Sequence, residues 1–333
     1  MDEQLEYDET APDPVLEMIV PRGVLGERLD KQLAKMLPEH SRARLQGWIE
    51  SGCVQVNHQV QQKVRVPVSE GDVLTVATQP SEQELAFVAQ PVDFEVVAES
   101  ENWIVVNKPA GLVVHPGAGN WQGTLLNGLL YRYPELASVA RAGIVHRLDK
   151  DTSGLMVVAR NAVAQTSLVR QLQARSVSRC YVAMVHGHLK PASGTVDRPI
   201  GRDPRVAVRM SVDRPIASKE AITDYEVLQY GHDGKSAYSW VRCRLRTGRT
   251  HQIRVHLASL NAPLVGDVLY GGRTSDLARR QLLHAYHLEF DDPSTGQLCS
   301  FETELAVDIL QWAQSVQWTA VSETGQEEDD YAG

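Results

Sequence analysis

A nine-residue polar stretch in the middle of the chain, His146–Gly154, runs directly into an apolar segment. The stretch combines imidazole, guanidinium, carboxylate, ammonium and hydroxyl groups. The five residues after it, Leu155–Ala159, are all apolar and predict a buried strand. Polar groups at the mouth of a core strand are held by a rigid scaffold, which suits function. The same charges are also typical of a solvated turn with weak surface ion pairs, so the stretch alone leaves both interpretations open.

The length of 333 residues predicts about two domains with full cores. No apolar run approaches the roughly 20 residues of a membrane-spanning helix. The acidic N-terminus also lacks the basic and then apolar pattern of a signal peptide. These features predict a cytoplasmic protein without a membrane partner.

The net charge of −9 is concentrated at the two ends of the chain. Residues 1–19 and 321–333 hold twelve of the 42 acidic residues and none of the 33 basic ones, so residues 20–320 carry a net charge of +3. The low apolar content of the ends predicts disordered acidic tails at 1–19 and 319–333. The overall negative charge therefore does not exclude a polyanionic partner.

Two internal segments are distinctly basic. Residues 170–214 carry nine Lys or Arg against three acids, and residues 235–266 carry six bases and no acid. Such runs are often solvated faces, but two of them in one domain also suit a cleft for a polyanion.

Metal and nucleotide sites are not indicated. The cysteines show no Cys-x-x-Cys spacing, which argues against both a zinc site and a disulfide framework. The glycines between His115 and Gly123 do not match the spacing of a phosphate loop, so no nucleotide cofactor is expected. The sequence therefore predicts neither a metal nor a cofactor.

Apolar periodicity predicts two short helices near the N-terminus. The first spans residues 28–37 and ends at Pro38, and the second begins after the N-cap Ser41 and ends before Gly52. Asn57-His58 predicts a tight turn between two short strands. This compact module, residues 20–76, is followed by a linker at 77–93 that is rich in Gln, Glu, Ser and Pro.

The remainder, residues 94–318, alternates strands and helices without a strict βαβ rhythm. This predicts an α+β fold with a mixed or antiparallel central sheet. The predicted strands lie at 94–98, 103–106, 155–159, 180–185, 221–228 and 238–245, and the predicted helices at 124–133, 162–175 and within 248–258.

The N-terminal module resembles the S4 (αL-type) RNA-binding domain. The resemblance rests on Arg28–Lys31, Ser41–Asn57, Lys63 and Gly71-Asp72. It implies that the basic residues of the second helix, Arg42 and Arg44, contact an RNA backbone. Without the resemblance, the module could be a small helical cap domain.

Three further motifs resemble those of the RluA-type pseudouridine synthases. They are His146–Asp149 with Thr152–Gly154, then Arg179–Tyr181, and finally Gly248–Arg254. Together with the S4-like module, two other segments resemble the RluD subgroup in particular. These segments are His115–Asn120 and Arg141–Val145.

This resemblance implies an isomerase, an intramolecular transferase that converts uridine to pseudouridine by base flipping without cofactor or metal. It implies action on 23S ribosomal RNA or a pre-50S particle, in the helix 69 stem-loop. Nothing in the sequence obliges more than a monomer. Asp149 corresponds to the nucleophile and Arg254 to the arginine paired with it. Arg147 would fill the space of the flipped base, and Ile253 would line the pocket. Tyr181 would pack on the uracil and is the candidate catalytic base for removal of the C5 proton. From the residues alone, Tyr181 and Ile253 are equally typical of a core.

Three alternatives stay open at this point. The chain could be an RNA-binding ribosome-assembly factor with an idle second domain, or a synthase of the RluC kind that modifies other 23S uridines. A cofactor-free hydrolase that uses Asp149 and a histidine would lack the nucleophile elbow of known hydrolases.

Overall fold

The computed structural model describes residues 15–79, 86–117 and 119–321. Most of the two predicted acidic tails, and residues 80–85 of the predicted linker, lie outside the described residues. The chain forms two compact units, residues 1–85 and 86–333, and their division falls within the predicted linker.

The first unit consists of short strands and two helices. In chain order these are β1 (Val15–Ile19), β2 (Glu27–Arg28), α1 (Leu29–Met36), α2 (Arg42–Glu50), β3 (Val54–Val56), β4 (Gln59–Gln61), β5 (Pro67–Val68) and β6 (Val73–Ala77). An antiparallel sheet has the order β1-β6-β3-β4. Leu33 of α1 and Leu45 of α2 are fully buried in the core of this unit. Both predicted helices are therefore confirmed.

Local signals in the first unit act as their chemistry predicts. The Ser41 hydroxyl accepts a hydrogen bond from the Arg44 amide at 3.3 Å and so caps α2. Asn57 and His58 both have positive φ, at 50° and 65°, and form the tight turn between β3 and β4. The predicted cap and hairpin are both confirmed.

Residues 15–19 are ordered as strand β1, contrary to the prediction that the acidic tail extends to residue 19. Every residue from Val15 to Ile19 pairs with β6. The side chain of Met18 packs against the core of the unit. The acidic residues of this region favour a disordered tail, but four of the five residues of β1 are apolar. These residues pair with β6, which local composition does not predict.

The second unit contains a large sheet and four helices within the described residues. In chain order its elements are β7 (Glu95–Glu99), β8 (Trp103–Lys108), α3 (Leu125–Arg132), β9 (Ser153–Ala159), α4 (Ala162–Ala174), β10 (Ser178–His186), β11 (Ser193–Asp197), β12 (Ile200–Arg202), β13 (Met210–Ser211), β14 (Ile216–Lys219), β15 (Ile222–His232), β16 (Ala237–Leu245), α5 (Gln252–Ser259), β17 (Leu283–Asp291), β18 (Leu298–Glu302), α6 (Val307–Gln314) and β19 (Gln317–Ala320).

The large sheet is mixed. Its strand order is β11-β15-β16-β10-β17-β9-β8-β7, with β18 added to β17 and β19 added to β15. Strands β9 and β17 run parallel, whereas the other neighbours along this order run antiparallel. The predicted α+β class with a mixed sheet is confirmed.

The two faces of this sheet are covered differently. Helices α3 and α5 contribute to the largest apolar cluster on one face, which also contains Leu148, Tyr181 and Ile253. Helix α4 lies in a second cluster with β8 and β9, and α6 lies in a third with Val182 and Met184 of β10. Because side chains alternate along a strand, Tyr181 faces α3 and α5 while Val182 faces away from them.

The C-terminal tail predicted at 319–333 begins later than expected. Residues Gln317–Ala320 form β19 and pair with β15. The indole of Trp318 packs near α6 and donates a hydrogen bond to the Ala313 carbonyl at 2.8 Å. The exposed edge of β15 supplies the hydrogen bonds for this short strand, and that edge is a tertiary feature.

Candidate active site

The polar stretch 146–154 lies where the two halves of the large sheet join. Ser153 and Gly154 at the start of β9 pair with His284 and Ala285 of β17. Gly154 has φ of +116°, and a Cβ at this position would lie 2.2 Å from the Ala285 carbonyl oxygen. Only glycine allows this close approach, which brings the loop with Asp149 to the centre of the sheet.

His146 anchors the same loop as a neutral acceptor. Its Nε2 accepts a hydrogen bond from the Val157 amide of β9 at 3.1 Å. Burial, with a smaller contribution from Arg179, lowers the pKa of His146 to about 3. The imidazole is therefore neutral near pH 7, as its accepting role at Nε2 requires.

Lys108, at the end of β8, holds the loop from the other side. Its buried ammonium donates to the carbonyls of Pro109, Leu112 and Lys150 at 2.7, 2.9 and 2.9 Å. Burial is the main cause that lowers the pKa of Lys108 to about 7. Because Lys150 follows Asp149, this contact restrains the backbone beside the carboxylate.

Arg254 of α5 joins two carboxylates. Its Nη1 donates to Asp149 Oδ2 at 3.0 Å across 105 residues of sequence. Its Nε and Nη2 donate to the two oxygens of Asp267 at 2.6 and 2.9 Å. Burial opposes the charge of Arg254, but the two acids outweigh it and raise its pKa above the ordinary value. The predicted contact between Arg254 and Asp149 is present.

The two carboxylates differ in exposure. The side chain of Asp267 is 1% exposed, whereas that of Asp149 is 16% exposed. Asp267 thus holds the guanidinium in a forked pair, and Asp149 presents part of its carboxylate to solvent. Asp267 was not predicted from the sequence, because a Gly-Asp dipeptide after a helix is also typical of an ordinary turn.

The aromatic ring of Tyr270 packs against the Arg254 guanidinium. The Arg254 guanidinium carbon lies 5.0 Å from the centre of the Tyr270 ring. The Tyr270 hydroxyl lies 2.7 Å from His251 Nδ1 and accepts a hydrogen bond from the Met210 amide at 2.9 Å. Tyr270 was not predicted as a site residue from the sequence, although it stands beside Gly271-Gly272.

Tyr181 and Ile253 lie on the same face of the sheet as Leu148. Tyr181 is 4% exposed and Ile253 is 3% exposed. Burial raises the pKa of Tyr181 to about 12, and the nearby Asp149 carboxylate acts in the same direction. The phenol is therefore protonated at neutral pH.

Arg147 points outward while its neighbour Leu148 is buried. Leu148 is 4% exposed, and Arg147 is exposed to solvent. Burial and the charges of Arg141 and Arg147 lower the pKa of His115 to about 4. Burial lowers the pKa of His251, and Arg147 contributes there too. The Arg147 guanidinium therefore lies near both histidines, on the open side of the loop.

Comparison with known proteins places the chain in a family. Residues 102–259 match the family model for RNA pseudouridylate synthase, and residues 27–74 match the S4 domain. A relative from Neisseria meningitidis serogroup B, "Ribosomal large subunit pseudouridine synthase D", is 48% identical over 88% of this chain and 79% of its own length. The chain belongs to the RNA pseudouridine synthase family.

Two other similarities agree with this family. A relative of the same name from Nitrosomonas europaea is 45% identical over 90% of this chain and 88% of its own length. The solved structure "Human RNA Pseudouridylate Synthase Domain Containing 1" superposes with a TM-score of 0.55 at 27% identity, covering 74% of this chain and 94% of that one. The synthase is therefore an isomerase, as its motifs implied.

In the S4 domain of this synthase, Arg42 and Arg44 make contacts within their own unit. Arg42 Nη2 donates to Asp30 at 2.7 Å, yet 48% of its side chain stays exposed. Arg44 Nη2 donates to the Gln79 carbonyl at 2.6 Å, and its guanidinium lies 5.1 Å from the centre of the Trp48 ring.

Residues 15–79, 86–117 and 119–321 contain neither a metal-binding group nor a membrane-spanning helix. In these ranges no group of three or more His, Cys, Asp or Glu side chains is placed to hold a metal ion. No helix in them is both long and apolar enough to cross a membrane.

Proposed function

We propose that this synthase isomerises uridines of 23S ribosomal RNA in the helix 69 stem-loop, with Asp149 as the nucleophile. The observation that carries the assignment is the pairing of the partly exposed Asp149 carboxylate with the buried Arg254. The curated relatives from Neisseria and Nitrosomonas, both named for the large ribosomal subunit, support the choice of RNA.

Asp149 is oriented for attack by its surroundings. Arg254 binds Oδ2 and thereby fixes the rotation of the carboxylate. Asp267 keeps the guanidinium in place, and the Thr152 amide donates to the Asp149 carbonyl at 3.1 Å. In the reaction the N-glycosidic bond breaks, the uracil turns, and C5 rejoins C1′. Attack by Asp149 on C1′ or on C6 of the base both start from this geometry.

The target uridine must leave its stack to reach Asp149, which costs a few kcal/mol. Arg147, exposed beside the carboxylate, fills the vacated space. Tyr181 and Ile253 provide an apolar surface for the flipped uracil, and aromatic stacking contributes about 1–3 kcal/mol per base. Because the pKa of Tyr181 is about 12, its phenol suits packing better than proton removal.

The S4 domain binds the RNA backbone through Arg42 and Arg44, and 48% of the Arg42 side chain remains exposed for this contact. We also propose that the synthase acts as a monomer. Its place of action is the cytoplasm, and its substrate is 23S RNA, either free or within a pre-50S particle.

Pseudouridine mapping in 23S RNA from cells without this protein tests the proposal. We expect pseudouridines in helix 69 to be lost and to return with the wild-type gene, but not with Asp149→Asn. Loss at other 23S uridines would contradict the helix 69 assignment and favour a synthase of the RluC kind. Return of the modification with Asp149→Asn would refute the nucleophile. Rescue of ribosome assembly without modification would indicate an assembly factor.

A further inference from the structure

Arg179 is a buried cation that has no role in the proposed reaction. It lies on β10 two residues before Tyr181, so both side chains are on the sheet face that carries the site. Arg179 is 7% exposed. It is close enough to His146 and Tyr181 to influence the pKa of both groups. Arg179 is therefore next to the proposed site for the flipped nucleotide.

Within the described part of the chain, the Arg179 guanidinium has no acidic partner. Its Nε is sealed from solvent without a hydrogen-bond acceptor. By contrast, the buried Arg254 binds two carboxylates, and the partly buried Arg280 binds Asp308. Burial without a nearby acid lowers the pKa of Arg179. An unpaired buried charge lowers the stability of the free protein. A bound anion would neutralise this charge and offset the loss.

Gly248 shows where the guanidinium points. A Cβ at position 248 would lie 2.7 Å from Arg179 Nη1. The end of the Arg179 side chain therefore lies against the backbone of Gly248. Gly248 begins the segment that leads through His251 into α5 and Arg254. The guanidinium thus lies between the strand of Tyr181, the loop of His146 and the turn before α5.

We propose that Arg179 binds a backbone phosphate of the RNA, at or next to the flipped uridine. This deepens the proposed function and rests on it. A phosphate matches the planar donor fork of arginine and neutralises its charge, whereas a uracil carbonyl would satisfy only a hydrogen bond. The neighbouring His146 is a neutral acceptor for the Val157 amide and does not compete for the guanidinium. In this proposal Arg254 binds the two carboxylates, and Arg179 binds the phosphate.

Kinetics and thermal unfolding of Arg179→Met test this role. The probe is a short 23S RNA hairpin that contains the mapped target uridine. We expect KM to rise about tenfold while Tm stays the same or rises, because methionine removes an unpaired buried charge. Arg179→Lys keeps the charge and should recover part of the affinity. The matched control is Arg132→Met, an exposed arginine at the end of α3 and outside both basic segments, which should leave KM unchanged.

A lower Tm with unchanged KM would show that Arg179 is merely structural and would overturn the proposal. If Arg179→Met does not fold, Arg179→Lys carries the same comparison with a smaller rise in KM. Wild-type turnover of the hairpin is measured first. Its absence would contradict the proposed substrate, whereas normal wild-type turnover with unaffected variants contradicts only the role of Arg179.

Single neutral methylphosphonate linkages on either side of the target uridine identify the contact. At one of them, we expect wild-type affinity to fall about tenfold and the affinity of Arg179→Met to stay unchanged. This non-additivity would assign the phosphate to Arg179. Equal losses in both proteins at every linkage would overturn the proposal.

Discussion

The two units of this chain each contain a buried carboxylate held by arginine, but the two clusters differ in how fully their acids are satisfied. In the S4 domain, Asp30 is fully buried and accepts hydrogen bonds from Arg28, Arg42 and Gln46. In the second unit, Arg254 is shared between the sealed Asp267 and the partly exposed Asp149. A saturated acid holds structure together, whereas an acid that shares its arginine keeps an open side for chemistry.

The largest expected effect separates the reactive acid from its neighbours. Asp149→Asn should reduce kcat for pseudouridine formation by more than about 10³-fold, because an amide is not a nucleophile of comparable strength. RNA binding should be largely retained, as measured by filter binding. The control is Asp151→Asn, two residues away, which should stay near wild type. Turnover at a tenth of the wild-type rate would rule out Asp149 as the nucleophile.

Asp267→Asn tests whether the second acid positions the first. Without the forked pair, Arg254 loses its anchor, and small displacements of reacting groups can cost about 100-fold. We expect kcat to fall about 10- to 100-fold with KM little changed. Breaking the buried pair should also lower the free energy of unfolding by about 3 kcal/mol, measured with urea. The exposed Asp276→Asn is the control. Normal kcat in Asp267→Asn would show that Arg254 is held by other contacts.

Asp30→Asn tests whether the Asp30 cluster supports the stability of the S4 domain and not the chemical step. The substitution weakens charge-assisted hydrogen bonds to a fully buried group, so we expect a loss of about 2 kcal/mol in the stability of this unit. The rate constant kcat on a short RNA hairpin should not change. Glu50→Gln, an exposed residue of α2, is the control. A reduced kcat with intact folding would mean that the two clusters are not independent.

Acid should affect Asp30 of the S4 domain and His146 of the second unit at different pH values. The three donors outweigh burial and hold the pKa of Asp30 well below its usual range, so its contribution is kept until the pH is strongly acidic. His146, whose pKa is about 3 in the folded state, takes up a proton near pH 6.5 when unfolded. The unfolded state therefore binds more protons between these values, and the free energy of unfolding falls as pH decreases from 6.5.

At pH 5.5 the His146 contribution amounts to about 1 kcal/mol. In His146→Gln this pH-dependent part should disappear, since an amide oxygen can accept from Val157 without titrating. Urea unfolding of the second unit at pH 7.5 and 5.5 measures the difference, with His232→Gln as an exposed control. An unchanged pH dependence in His146→Gln would assign the acid sensitivity to another group.

Local signals predicted much of the fold because they act over a few residues. The apolar run before Arg160 became β9, and Ser41 capped its helix as expected. Strands β11 to β14, β18 and β19 were not predicted, because each has five residues or fewer. The nine-residue β17 was also not predicted, because two histidines and two acids are interspersed among its apolar residues. Their stability comes from neighbouring strands, which local periodicity does not describe.

The sequence by itself determined the family motifs, the α+β class and the residues able to do the chemistry. Only the tertiary structure decided how these residues are paired. Asp149 and Arg254 are 105 residues apart, and they meet because Gly154 lets β9 approach β17. In the folded chain Asp267 is buried in its pair with Arg254, and Arg179 has no acidic partner among the described residues. Pairing of charges depends on distance and burial, and both are properties of the folded chain.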